Sequence, residues 1–213
     1  KKEINAKEIV KKIDSILRGK TSIGTVTMEI KTKHFNRSLT MNIWTSGTDN
    51  TLIKIEKPEK ENGVCTLKVD NNIWNYLPKV NRVMKLPSSM MSRSWMGSHF
   101  TNDDLVKEST FLDDYDFSLS GEKLVNNEPL YSLKMIPKAN TPVVWGYVEV
   151  DARKSDYIPL EERYYDENKR LIRTVYFKQI KKMGGRTIPS EMIVVPTNNP
   201  EEFTRIIYNN ITF

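Results

Sequence analysis

The sequence has little of what most enzyme and metal centres are built from. A single cysteine, Cys65, stands among 213 residues. That excludes an internal disulfide framework and any multi-cysteine metal site. Only two histidines are present, His34 and His99, far apart in the chain, and there is no HExxH, glycine-rich phosphate loop or nucleophile elbow. No run approaches the roughly 20 apolar residues of a membrane-spanning helix. Apolar residues make up 38% of the chain, thin for one globular core but above the disordered range. The excess of base is mild, 33 Lys+Arg against 27 Asp+Glu, a net charge of +6. The basic pairs Lys1-Lys2, Lys11-Lys12 and Lys181-Lys182 are short, and no RNP-type or zinc-finger motif accompanies them. Nucleic acid is therefore not an expected partner, whereas peripheral contact with an anionic membrane surface is compatible with the charge.

What is there is mostly strand. One segment reads as a long helix: from Ala6 to Arg18 the apolar residues Ile9, Val10, Ile13, Ile16 and Leu17 fall at steps of three and four on one stripe. Asn5 suits the N-cap, with Glu8 three residues on, and Gly19 suits the stop. After Gly19 the period becomes two. Val26, Met28 and Ile30 alternate with polar residues, as do Leu39, Met41 and Ile43, then Ile53 and Ile55, then Cys65, Leu67 and Val69. Gly47-Thr48-Asp49-Asn50, Glu61-Asn62-Gly63 and Asp70-Asn71-Asn72 are turn chemistry between these runs. The pattern repeats from Tyr115 to Leu119, with Gly121 as its end, and continues in 124–125, 130–136, 143–150 (after Pro142), 158–165, 171–180, 192–195 and 203–213. This predicts ten or eleven antiparallel strands in a sandwich or barrel, within one domain spanning residues 1–213.

The segment from Val83 to Phe111 breaks the alternation. It carries Met84, Leu86, Met90, Met91, Trp95, Met96 and Phe100, with serines between them. Thr101 or Asn102 suits the cap of a short helix through Lys107, with Asp103 and Asp104 in its first turn. Methionine adapts to variable apolar shapes, so this segment reads either as a greasy lid beside a ligand cavity or as a plug at one end of the barrel. The remaining groups offer no chemistry. His34 and His99 read as surface and lid residues. Asp103-Asp104 and Asp113-Asp114-Asp116 lack the ligand spacing of a calcium loop. Glu161 and Glu162 are adjacent on a strand and face opposite ways. Cys65, in phase with Leu67 and Val69, is expected buried and inert. No catalytic residue, no metal and no cofactor is expected.

Two stretches resemble a known family. Ile53 to Pro58, then Cys65 to Pro78 with its aromatic strand Ile73-Trp74-Asn75-Tyr76-Leu77-Pro78, is similar to the strand, turn and "LWxYxP" strand of the LolA-like family. Ser92 to Leu105, with Trp95-Met96-Gly97-Ser98-His99-Phe100-Thr101, resembles the "FMGSDFTYEDL" stretch of its outer membrane lipoprotein-sorting protein branch. The resemblance implies a mainly β fold, an unclosed antiparallel barrel of about eleven strands wrapped round an N-terminal helix and a helical lid, with an apolar cavity between them. It implies non-covalent, non-catalytic binding of lipoprotein or lipid acyl chains by a monomer in the periplasm, its signal peptide removed ahead of Lys1. Thr45 to Asn50, where LolA-type carriers have a functional arginine, has no basic residue here. That motivates an alternative: an envelope sensor or accessory subunit of a lipid-exporting inner-membrane transporter. The residues expected to contact the acyl chains are Ile13 and Leu17 of the helix, Met28, Leu39, Met41, Ile53, Ile55, Leu67, Trp74 and Tyr76 of the strands, and Met91, Trp95, Met96 and Phe100 of the lid.

Overall fold

The structure is a computed structural model and describes residues 5–107, 111–141 and 143–213, apart from the side chains of Leu17, Val106 and Lys107. Helix α1 (Ala6–Leu17) begins where the sequence predicts, with the Asn5 side chain accepting a hydrogen bond from the Glu8 amide at 2.9 Å. Ile9 and Val10 are buried, each contributing roughly 1.5–3 kcal/mol by leaving water. The helix does not end on a left-handed glycine. Arg18 is extended, and Arg186 donates to the carbonyls of Arg18 at 2.6 Å and Ser15 at 3.1 Å. These are carbonyls the last turn leaves without intrahelical partners. Gly19 serves close packing instead: a Cβ there would lie 3.0 Å from the Thr21 carbonyl oxygen and 3.1 Å from the Phe213 ring.

Among the described residues, thirteen strands form one antiparallel sheet. They are β1 (Thr21–Lys31), β2 (Asn36–Ser46), β3 (Asn50–Lys57), β4 (Cys65–Val69), β5 (Asn72–Leu77), β6 (Arg82–Lys85), β7 (Tyr115–Val125), β8 (Glu128–Pro137), β9 (Tyr147–Arg153), β10 (Pro159–Tyr165), β11 (Leu171–Met183), β12 (Arg186–Pro196) and β13 (Phe203–Thr212). The spatial order runs from β6 back to β1, then to β13 and back to β7. Two meanders are thus joined by the β1–β13 pair, and the sheet stays open between β6 and β7. These edge strands are consecutive in sequence, so the segment linking them crosses the seam. It contains α2 (Asn102–Lys107) and α3 (Phe111–Asp114).

The count exceeds the predicted ten or eleven. All four residues of β6 are exposed, so it has no period-two pattern to read. Gly121 does not end its strand: β7 runs on to Val125, with a register shift between Leu119 and Gly121. The Pro142 boundary expected before the ninth strand lies outside the described residues. Inside the sheet the apolar side chains of the described residues form two clusters. One joins Ile9 and Val10 to Leu133, Val148, Val150, Val175 and Val194 of the later strands. The other joins Val26, Met28, Leu39, Met41, Ile53 and Ile55 to Trp95 of the lid.

Candidate functional site

The site begins with the sheet's open seam. A curved sheet that does not close leaves its concave face uncovered, and the linking segment covers it. Its first fixed point is Trp95. The isolated bridge between Ser94 and Thr101 and the Trp95 amide bond to the Phe100 carbonyl at 2.8 Å make a tight loop. Met96 and Gly97, both left-handed, turn that loop. The indole is buried and donates to Thr66 Oγ1 at 3.2 Å, while Thr66 in turn donates to Asn75 at 2.9 Å. His99 is the second fixed point. Its Nδ1 lies 2.8 Å from Thr204 Oγ1 and its Nε2 lies 3.2 Å from Glu202. This hydroxyl–imidazole–carboxylate order has the makings of a nucleophile triad, but Thr204 is 0% exposed. No substrate reaches it, and the arrangement serves as a pin for the lid. The third fixed point is α2. Thr101 and Asp104 cap it reciprocally, the Asp104 amide donating to Thr101 Oγ1 at 3.1 Å and the Thr101 amide to the Asp104 carboxylate at 2.8 Å. The same carboxylate receives Arg173 of β11 at 2.7 and 2.8 Å.

Between lid, helix and sheet lies a cavity of about 370 Å³, within the range of small-ligand pockets, roughly 300–1,000 Å³. Its wall draws on both core clusters: Val10 and Ile13 of α1, Met41 and Ile53 of the first meander, Trp95 and Phe100 of the lid, and Val175, Phe177 and Met192 of the second meander. The polar residues on it are mostly tied. Arg18 holds Asp14 at 2.6 Å, and the Lys68 ammonium donates to the carbonyls of Thr48 at 2.8 Å and Asp49 at 3.2 Å. One part of the wall gathers Arg173, Asp104, Glu162 and Tyr164. Arg173 packs beside both Trp145 and Tyr164, 4.6 and 4.5 Å from the ring centroids, the two rings themselves meeting edge to face at 5.0 Å. Burial works against its charge, and the Asp104 carboxylate outweighs that, so it stays protonated. Burial, reinforced by the negative charge of Glu162, pushes the Tyr164 phenol well up. Its hydroxyl donates to Glu162 at 2.7 Å.

The structure brings Ile13, Met41, Ile53, Trp95 and Phe100 together on the cavity wall. Met28, Leu39 and Ile55 point inward too, but they are consumed by the second core cluster, and Met96 packs half-buried against it. The Leu17 side chain lies outside the described residues. Met91 lines a separate depression with Ile73 and Pro87. Leu67, Trp74 and Tyr76 require correction, because β4 and β5 carry them on the outer face. The inward residues of β4 are Thr66 and Lys68, both 4% exposed. Trp95 and the Gly47–Asn50 turn provide the partners that make those polar groups acceptable inside. Cys65 shares the outer face. It is half-buried rather than buried, and burial pushes its thiol pKa up. Sequence reasoning missed the second meander's share of the wall. Its signal was present: Arg173 falls in phase with Val175 and Phe177, a charge in an inward row. Glu161 and Glu162 do face opposite ways. Glu162 lines the cavity, and Glu161 joins Arg163 at 2.8 Å in an outer network with Glu149 and Asp151.

Among the described residues no group of three or more His, Cys, Asp or Glu is placed to hold a metal, and no helix is long and apolar enough to cross a membrane. A family model whose description is "uncharacterized protein" matches residues 47–213. No curated protein matches the sequence. Solved structures do. A DUF1329 family protein from Desulfovibrio piger superposes with a TM-score of 0.87 at 22% identity, over 98% of this chain and 91% of that one. A LolA superfamily protein from Nitrosomonas europaea gives 0.82 at 19%, over 99% and 94%. An outer membrane lipoprotein-sorting protein domain from Vibrio parahaemolyticus gives 0.83 at 23%, over 98% and 92%.

Proposed function

The chain belongs to the family of uncharacterized proteins whose model matches residues 47–213 and has the LolA-superfamily fold, and from that premise we propose that it is a non-catalytic periplasmic carrier of acyl chains. The observation that carries the reading is the lidded, largely apolar cavity of about 370 Å³ spanning both halves of the sheet. A carrier must hide acyl chains from water, with each buried CH₂ contributing about 0.8 kcal/mol. It must also release them. A wall built from Met41, Ile53, Phe100, Val175 and Met192 offers non-directional contact that many chains satisfy, and the lid is held by a few discrete polar pins that one movement undoes. Native mass spectrometry of the purified protein, followed by titration with a fluorescent fatty-acyl probe, tests this. Copurified lipid or lipoprotein and saturable probe binding are expected. An empty protein that takes up no probe overturns the reading.

A second observation bears on where cargo is exchanged. Cross-strand pairing lines up Ile23, Trp44, Leu52, Leu67 and Trp74 in one row over the outer face of β1 to β5, ending at Lys85 of the edge strand. Ile23 is 56% and Leu67 38% exposed. Tryptophan beside lysine suits the polar–apolar boundary of an anionic bilayer, and Lys85 and Lys54 supply base at this face. This supports membrane contact as the site of exchange. Binding to anionic liposomes that falls with salt and with Trp44→Ala and Trp74→Ala is the expected result. The alternative role, an accessory subunit or sensor of a lipid-exporting inner-membrane transporter, would use the same face. Recovery of that transporter in a pull-down from membranes, without liposome binding, favours it.

A further inference from the structure

We propose that Arg173 is the receptor for an anionic headgroup at the charged end of the cavity, and that Asp104 of the lid occupies that receptor when no cargo is bound. The inference rests on the carrier reading and adds the class of cargo: an acyl chain ending in a carboxylate or a phosphate.

The side chain of Arg173 is only 9% exposed. Three of its five N–H donors are used. Nη1 reaches Asp104 at 2.7 Å and the His99 carbonyl at 3.3 Å, and Nη2 reaches the other Asp104 oxygen at 2.8 Å. Nε, equally buried, has no hydrogen-bond partner. Buried donors are normally satisfied, and one left over calls for an explanation. The guanidinium also packs on the faces of Trp145 and Tyr164, and these contacts do not depend on the lid. The carboxylate that neutralises it does. Asp104 sits in the first turn of α2 and is also bound within its own helix cap through Thr101. When the lid lifts, the carboxylate leaves with it, and a fixed planar cation remains on the cavity wall. Carboxylate and phosphate are the groups that a guanidinium fork binds in two parallel bonds, and a ligand oxygen bridging to Nε satisfies the leftover donor.

The acids nearby define the exchange further. Glu162 and Asp103 line the same cavity as Asp104. They oppose a second negative charge added beside Asp104 and tolerate one that replaces it. Headgroup binding and lid closure therefore compete for a single cation, and a neutral acyl chain gains nothing from the swap.

The test compares one chain length with three ends: laurate, dodecyl phosphate and dodecanol, each displacing a fluorescent acyl probe from the full chain. Because Arg173→Met alone strands the Asp104 carboxylate, the double variant Arg173→Met/Asp104→Asn is used, alongside Asp104→Asn. The wild type is expected to prefer at least one of the two anions over the alcohol by about tenfold or more, the scale of one charge-assisted hydrogen bond. Whichever anion is preferred identifies the headgroup. Asp104→Asn removes the internal competitor and raises the preference. The double variant binds all three ends alike. Equal binding of all three by the wild type, or a preference that survives in the double variant, overturns the assignment and leaves the carrier reading standing. Failure to bind any of the three overturns both.

Discussion

Arg173 of β11 and Asp104 of the lid helix are joined by two parallel hydrogen bonds of 2.7 and 2.8 Å across 69 positions of sequence. Nothing nearer in the chain accounts for their meeting. The sheet's open seam lies between β6 and β7, so the segment crossing it must anchor to strands remote in sequence, and this pair is one such anchor. A buried pair is costly to assemble, because both charges leave water, and costly to break, because one charge then stays behind.

The asymmetry is measurable. Arg173→Met is expected to destabilise the fold by about 3–5 kcal/mol, because the Asp104 carboxylate is left in the interior without its cation. Asp104→Asn/Arg173→Met should recover most of that loss. Urea denaturation of the wild type, both single variants and the double variant gives the cycle. A double variant as unstable as Arg173→Met alone would show that the pair is not the source.

Obstructing the cavity separates binding from folding. Met192 and Ile206 are paired neighbours on β12 and β13, and both line the wall. Ile206→Trp places an indole in the space an acyl chain needs, with overpacking expected to cost only about 1–3 kcal/mol. Probe affinity should fall at least tenfold, while circular dichroism stays that of the wild type. Unchanged affinity would move the binding site elsewhere.

The end of the first helix supplies a third measurement. Arg186 donates to the carbonyls of Arg18 and Ser15 and stacks over the Phe213 ring at 4.0 Å. Arg186→Ala should cost about 1–2 kcal/mol, in the range of partly exposed charge-assisted hydrogen bonds. Arg186→Lys should recover only part of it, because an ammonium lacks the planar fork. Thermal unfolding of the three proteins decides the matter.

Alkaline pH tests the cavity's phenols. Burial pushes both Tyr164 and Tyr115 above the ordinary tyrosine value, aided by nearby carboxylates. The unfolded chain therefore loses these protons first. The stabilisation is complete below about pH 10 and is lost as the pH climbs from there toward the folded-state values. Denaturation midpoints should be flat through neutrality and fall steeply above pH 10, and Tyr164→Phe should flatten part of that fall. An equal fall in Tyr164→Phe would assign the alkaline loss to other groups.

Much of the architecture could be read in the residues themselves. The three- and four-residue steps of Ile9, Val10 and Ile13 mark a one-sided helix, and alternation in Val26-Met28-Ile30 and Leu39-Met41-Ile43 marks half-buried strands. The resemblance to a sorting-protein stretch pointed to Trp95 and Phe100, and capping chemistry at Thr101 and Asn102 marked the start of α2. Local order of this kind depends on neighbours a few positions apart, and a sequence records those directly.

Alternation does not say which of its two faces is inside. In β4 the apolar parity, Leu67 with Val69, faces out, while Thr66 and Lys68 face in. That choice became available only because the Trp95 indole and the Thr48 and Asp49 carbonyls arrive from elsewhere to satisfy the buried polar groups. The same holds for Arg173, whose inward charge makes sense only with Asp104 opposite. The lone cysteine, Cys65, shares the parity of Leu67 and turns outward with it. The first helix, most of the strands and the place of the segment that breaks their alternation could be read from the sequence alone. The face each polar residue takes, the second meander's share of the cavity and the ion pair across the seam were settled by tertiary structure, because a buried polar group is stabilised by a partner that only folding brings near.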